Sequence, residues 1–181
     1  LQDQDLRDDQ TSLRLSGIDI PEVAVPIAIS DDDSQVIVAN PNNLVFTEGT
    51  TGQLEISLGF EPETPTTVSI ATDANGLGNI VPTQFTFTST NFSIAQSAFV
   101  ASLEDQDTEN LDGVLRLEAP SVQTTNVPFS VVDDDVLEIV VNPATLTAVE
   151  GNFTTFDVSL SYQPTNDTRV LILSTDANLA N

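Results

Sequence analysis

In the segment QLEISLGF (residues 53–60), Leu54, Ile56, Leu58 and Phe60 fall on every second position. Side chains spaced by two share one buried face only in an extended strand, so the pattern rules out a helix here. Comparable short runs lie at 36–39, 44–46, 67–72, 84–88, 97–103, 113–118 and 127–132. Between them stand NPNN, TEGTTG, EPETP, DANGLGN and STN, rich in the residues that set turns. No stretch shows helical periodicity of useful length. The expectation is an all-β chain of the immunoglobulin-like β-sandwich class, with Phe85 and Phe87, which alternate with threonines, in its core.

The chain also resembles itself. Residues 1–33 lie over 103–135 without a gap at an offset of 102. Asp3 falls on Asp105, Asp5 on Asp107, Leu13-Arg14-Leu15 on Leu115-Arg116-Leu117, and Asp31–Asp33 on Asp133–Asp135. Residues 36–49 match 138–151 at the same offset, and TDAN at 72–75 recurs at 175–178 with one residue inserted. Self-similarity at a fixed spacing is the signature of repeated architecture. It predicts tandem immunoglobulin-like β-sandwich repeats with a period of about 102 residues: the C-terminal part of one repeat at 1–33, a complete repeat at 34–135, and the N-terminal part of a third at 136–181. About 24 positions of the repeat have no counterpart in the two partial copies, so the chain reads as a window on a longer array.

Composition narrows the chemistry. There are 28 acids, four basic residues (all arginine) and a formal charge of -24. No basic patch is available for nucleic acid or an anionic membrane. No run of 18 apolar residues suggests a membrane span, and the opening LQDQDLRDDQ lacks the form of a signal peptide. Cysteine, histidine, methionine and tryptophan are absent, which removes disulfides, zinc sites, thiol nucleophiles and imidazole acid–base chemistry. With no nucleophile–base pair or phosphate loop in view, the chain is expected not to be an enzyme. Its only strong ligands are carboxylates, which suit hard cations such as calcium or magnesium.

Those carboxylates are not scattered. More than half fall in four clusters: Asp3, Asp5, Asp8 and Asp9; Asp31–Asp33; Glu104, Asp105, Asp107, Glu109 and Asp112; and Asp133–Asp135. Acids at i and i+2 of a strand lie about 7 Å apart on one face and repel by about 0.6 kcal/mol in water, several times more near a protein surface. One strand runs away from the 104–112 loop and the next returns to 133–135, so both clusters are expected at one pole of the sandwich. A solvated linker that discourages edge pairing would account for such acids; a bound cation would remove the repulsion.

VFTEG, TVSIATDAN, DQDTENLDG and VVDDD, in that order, resemble the successive motifs of Calx-β domains, in a form similar to a bacterial surface-protein repeat, with Phe92 standing where that repeat has tryptophan. The resemblance implies calcium ligands at Glu48, Asp73, Asp105, Asp107, Glu109, Asp133, Asp134 and Asp135. The first partial copy would contribute Asp3, Asp5, Asp31, Asp32 and Asp33, with Arg7 in place of Glu109, and the last Glu150 and Asp176. The DANGLGNIVPTQF that follows Asp73's motif departs from the family pattern. The function implied is a structural segment of an extracellular, cell-surface adhesin stalk or filament. Its partners would be neighbouring repeats of the same chain and lateral copies in the filament. The alternative is a calcium-sensing regulatory domain pair of the Calx-β type. A sugar-binding platform is disfavoured by the single tyrosine and the lack of tryptophan.

Overall fold

The computed structural model describes residues 4–175. Among them the chain is all-β, with no helix. It forms two compact units: residues up to Leu103 together with Leu111–Val132, and Glu104–Asn110 together with residues from Asp133 onward.

The first unit begins with the hairpin β1 (Asp9–Gly17) and β2 (Ile20–Ile29). It continues through β3 (Ile37–Asn40), β4 (Leu44–Thr47), β5 (Thr51–Leu58), β6 (Thr66–Ala71), β7 (Leu77–Val81), β8 (Gln84–Phe87), β9 (Gln96–Ser102), β10 (Leu111–Glu118) and β11 (Thr125–Val132). These nine strands make a five-stranded sheet, β4-β11-β10-β6-β8, and a four-stranded sheet, β3-β5-β9-β7. The first is mixed, because β4 runs parallel to β11 while its other pairs are antiparallel.

Period-two patterning explains how the sheets face each other. Leu54, Ile56 and Leu58 of β5 and Ala98 and Val100 of β9 point to one side. They meet Val68, Ile70, Phe85, Phe87, Leu115, Leu117, Val127, Phe129 and Val131 of the other sheet in a single core. Phe85 and Phe87 are buried there, as their alternation with threonine predicts. Gly113 is needed at this packing level: a Cβ on it would stand 2.5 Å from the Phe129 ring. The strand β7 is an element that the turn-rich DANGLGN concealed. It pairs irregularly with β9 between Leu77 and Asn79, and its Gly78 lets Leu103 approach closely.

The second unit contains β12 (Ile139–Asn142) and β13 (Asp157–Leu160), an antiparallel pair. Ser161 fastens its end: the Glu138 N–H donates to Ser161 Oγ at 2.8 Å, and that hydroxyl donates to the Val136 carbonyl at 3.0 Å. Gln163 N–H donates to the Gln106 carbonyl at 2.7 Å.

The expected succession of 102-residue Calx-β-like repeats is corrected by this architecture. Among the described residues, neither partial copy builds a two-sheet domain. Residues 9–29 supply the β1–β2 hairpin, and among the described residues beyond Val136 only β12 and β13 pair. The physical reason is the missing second layer. Leu117 is 0% exposed between the two sheets, while Leu15, its match at the 102 offset, is 57% exposed on a hairpin with no sheet across from it. Similar strands without an opposing face cannot close a core.

Candidate metal centre

Three strand ends define the site. β4 stops at Thr47, β9 at Ser102 and β11 at Val132. The parallel pairing of β4 with β11 puts Thr47 beside Val132, and the Glu48 N–H donates to the Val132 carbonyl at 2.9 Å. Glu48 is therefore backbone-locked next to the peptide that leads into Asp133. Gly49 turns the chain immediately afterwards with a φ of 64°, a conformation glycine adopts without penalty. The Glu48 side chain is 5% exposed, the only buried acid among the described residues.

The loop after β9 is shaped by its own aspartates. Asp105 Oδ1 accepts from the Asp107 N–H at 2.9 Å, and Asp107 Oδ1 accepts from the Glu109 N–H at 2.7 Å. These are successive side-chain-to-backbone turns of the kind aspartate favours. At the exit of β11, Asn110 Oδ1 accepts from the Asp133 N–H at 2.9 Å, and Asp133 Oδ1 accepts from the Asp135 N–H at 3.0 Å. Each bond uses one oxygen and leaves the other directed elsewhere. Asp133 Oδ2 and Asp135 Oδ2 are shut off from solvent with no hydrogen-bond partner.

Carboxylate oxygens of Glu48, Asp105 and Asp133 lie within 4.8 Å of one another, as do those of Glu48, Glu104 and Asp134. Oxygens coordinated to one calcium ion at about 2.4 Å can be separated by at most about 4.8 Å, so each triad can chelate a divalent cation. Without a cation, two carboxylates 4 Å apart repel by about 1 kcal/mol in water and about 4 kcal/mol at the dielectric of a protein surface. The donors are all hard oxygens, which excludes selection for a soft metal.

Tyr162 registers the same negative field. Its pKa is raised above 10.0, first by a hydrogen bond to the Asp135 side chain, then by the charge of Asp135, by desolvation and by the charges of Glu104 and Asp134. A phenolate forming there would face existing carboxylates, so the proton is held more tightly.

The other residues singled out from the sequence fall differently. Asp107 and Glu109 shape the loop but belong to neither triad, and Asp135 lies next to the second triad rather than in it. Asp73 is drawn to Arg116, with Oδ2 2.6 Å from Nη2 on the exposed face of β10. In the first hairpin, Asp5 Oδ1 accepts from Arg7 N–H, Asp8 Oδ1 from Asp31 N–H and Asp31 Oδ1 from Asp33 N–H. These reproduce the turn chemistry of the 102–135 region, yet Asp5, Asp31, Asp32 and Asp33 enter no cluster of three carboxylates among the described residues. Glu150 is exposed and also outside any cluster. Asp3 and Asp176 lie outside the described residues. Glu104 is the ligand candidate that sequence reasoning missed: its match in the first copy is Gln2, so the repeat gave it no emphasis. No helix among the described residues is long and apolar enough to cross a membrane.

Compared with models of protein families and with curated proteins, the chain matches none, and the resemblance to Calx-β domains is therefore not upheld.

Proposed function

We propose that the chain is a non-catalytic structural segment of an extracellular surface stalk or filament, and that calcium bound by Glu48, Glu104, Asp105, Asp133 and Asp134 stiffens it. The observation that carries this reading is the convergence of two carboxylate triads on the shared Glu48, beside buried oxygens of Asp133 and Asp135 that have no hydrogen-bond partner. Calcium suits the site better than magnesium because it accepts irregular sets of six to eight oxygens, whereas magnesium demands near-ideal octahedral geometry and gives up its waters reluctantly. A bound ion would then hold these carboxylates together. This converts mutual repulsion into a cross-link. An extracellular setting supplies calcium in the range that modules of this kind bind, about 0.1–1 mM.

Thermal unfolding of the full chain with calcium, with magnesium and with chelator tests the proposal. Calcium at about 100 times its Kd should add roughly 2.7 kcal/mol per site, seen as a rise of several degrees that magnesium reproduces only in part. Coincident curves in calcium and chelator would refute it.

A further inference from the structure

The turn between β6 and β7 holds the chain's single Asn-Gly pair, Asn75-Gly76, and both residues are exposed. The backbone requires glycine here. Gly76 has a φ of 102°, and a Cβ on it would stand 2.9 Å from Leu111 Cδ2. With no side chain at 76, nothing screens the Gly76 nitrogen from the side-chain carbonyl carbon of Asn75. Neither the Gly76 N–H nor the Asn75 side chain makes a hydrogen bond among the described residues. Asparagine is a thermolabile residue, and a following glycine leaves it most open to attack by the backbone.

The chain on either side of this pair is held. Thr72 Oγ1 donates to the Val114 carbonyl at 2.9 Å and accepts from the Ala74 N–H at 3.2 Å. Asp73 pairs with Arg116, and Ala74 packs against the core. On the other side, the Gly76 carbonyl accepts from the Leu103 N–H at 3.3 Å, and Leu77 pairs with Ser102. The turn therefore joins the beginning of β10 to the end of β9. Neighbouring asparagines are guarded. Asn91 Oδ1 accepts from the Thr88 N–H at 2.6 Å, and the Phe92 N–H, whose nitrogen would have to attack, donates to the Thr88 carbonyl at 3.0 Å. Asn79 pairs with Ala101 in the β7–β9 ladder and precedes the branched Ile80.

We propose that Asn75 is a site of spontaneous, one-way modification that releases the hold of this turn on Leu103. Hydroxide takes the Gly76 amide proton, and the nitrogen attacks Asn75 Cγ. The new C–N bond forms, the Cγ–NH2 bond breaks, and ammonia leaves with a proton from water, which restores the hydroxide. Water then opens the cyclic succinimide at either carbonyl. Opening at Cγ gives aspartate in a normal chain. Opening at the backbone carbonyl gives isoaspartate, in which the main chain runs through the former side chain and is one methylene longer. The net change is water consumed and ammonia released. Both products add a carboxylate near Asp73, but only isoaspartate lengthens the backbone. Because residues 72–74 and 77 are anchored, the added length falls on the Gly76 peptide and displaces the bond from Leu103. The inference does not rest on cation binding.

Incubation of the full chain at mildly alkaline pH in water enriched in heavy oxygen tests it. Cleavage after glutamate yields a peptide spanning 64–104, which contains Asn75, Asn79 and Asn91. Mass spectrometry should find heavy oxygen entering at Asn75 first, at a rate proportional to hydroxide, with isoaspartate in excess of aspartate. In the isoaspartyl fraction, hydrogen exchange read by NMR should show lost protection of the Leu103 amide. A freshly prepared Asn75→Asp variant, which adds the charge without the methylene, should keep that protection. Asn75→Gln, whose ring would be larger and slower to close, should show neither change. An Asn75 that reacts no faster than Asn79 and Asn91, aspartate formed without isoaspartate, or native Leu103 protection in the isoaspartyl fraction overturns the proposal.

Discussion

Glu48 shows how one side chain can carry opposite consequences in two conditions. It is buried beside Asp105, Asp133, Glu104 and Asp134, so its charge meets the repulsion of neighbouring carboxylates, which a cation would relieve. Glu48→Gln keeps the shape and removes that charge. In chelator the variant should be as stable as the native chain or more so by about 1 kcal/mol, the repulsion of two carboxylates 4 Å apart in water, while losing most of the stabilisation by calcium. Chemical denaturation in both conditions checks the reversal of sign. Tyr162 offers a direct optical readout, because it is the only tyrosine and there is no tryptophan. Its folded pKa lies above its unfolded value. The stability it contributes is thus complete below about pH 10 and is lost as pH rises through the folded pKa. Calcium neutralises the carboxylates that raise it, so ultraviolet titration should show the tyrosine ionising at lower pH with calcium than with chelator. An unchanged titration would show that the ion does not bind near Asp135.

At the level of strands, matched sequences have unequal worth. Leu117 is fully enclosed, and Leu117→Ala should destabilise by about 2–5 kcal/mol. Leu15→Ala, at the matching position of the open hairpin, should change the stability of the dilute monomer by no more than about 0.5 kcal/mol. Denaturant unfolding of the two variants at low concentration checks the contrast. The same comparison explains what the sequence disclosed. Alternation in QLEISLGF and in Phe85-Thr86-Phe87 reports a buried face directly, so β5 and β8 were legible. β7 was not, because Gly76, Gly78 and Asn79 are turn formers that serve here as an irregular edge strand. The acids of the candidate site were legible as clusters, and Glu48 through its Glu-Gly turn. Their selection was not, since nothing local to Asp73 indicates that Arg116 on a strand 43 residues later would capture it. Nor does the sequence distance between Glu48 and Asp133 indicate that β4 would pair parallel to β11. The repeat misled for a related reason: self-similarity reports common strand chemistry, while a closed core needs an opposing sheet in reach.

Over the whole molecule, the charge of -24 spread through 181 residues is a standing repulsion that any compact state must overcome. Sodium chloride should raise the melting temperature by general screening, and calcium at a few millimolar, within the extracellular range, should raise it further than sodium at equal ionic strength. A salt series in differential scanning fluorimetry, repeated with Asp133→Asn, separates the two: the variant should keep the sodium response and lose the calcium excess. Equal effects of the two salts at matched ionic strength would assign the acids to general surface charge.

The parallel partnership of β4 and β11 has a mechanical meaning. The chain enters the two-sheet core shortly before β4 and leaves it directly after β11, and these strands run in the same direction side by side from Leu44 with Phe129 to Thr47 with Val132. Tension applied to the entering and leaving ends pulls the two strands lengthwise past each other. Their cross-links are then loaded together in shear, not opened one at a time as in a hairpin pulled from its ends. Under the tension that the proposed stalk would carry, this region should resist extension until that short ladder fails as a unit.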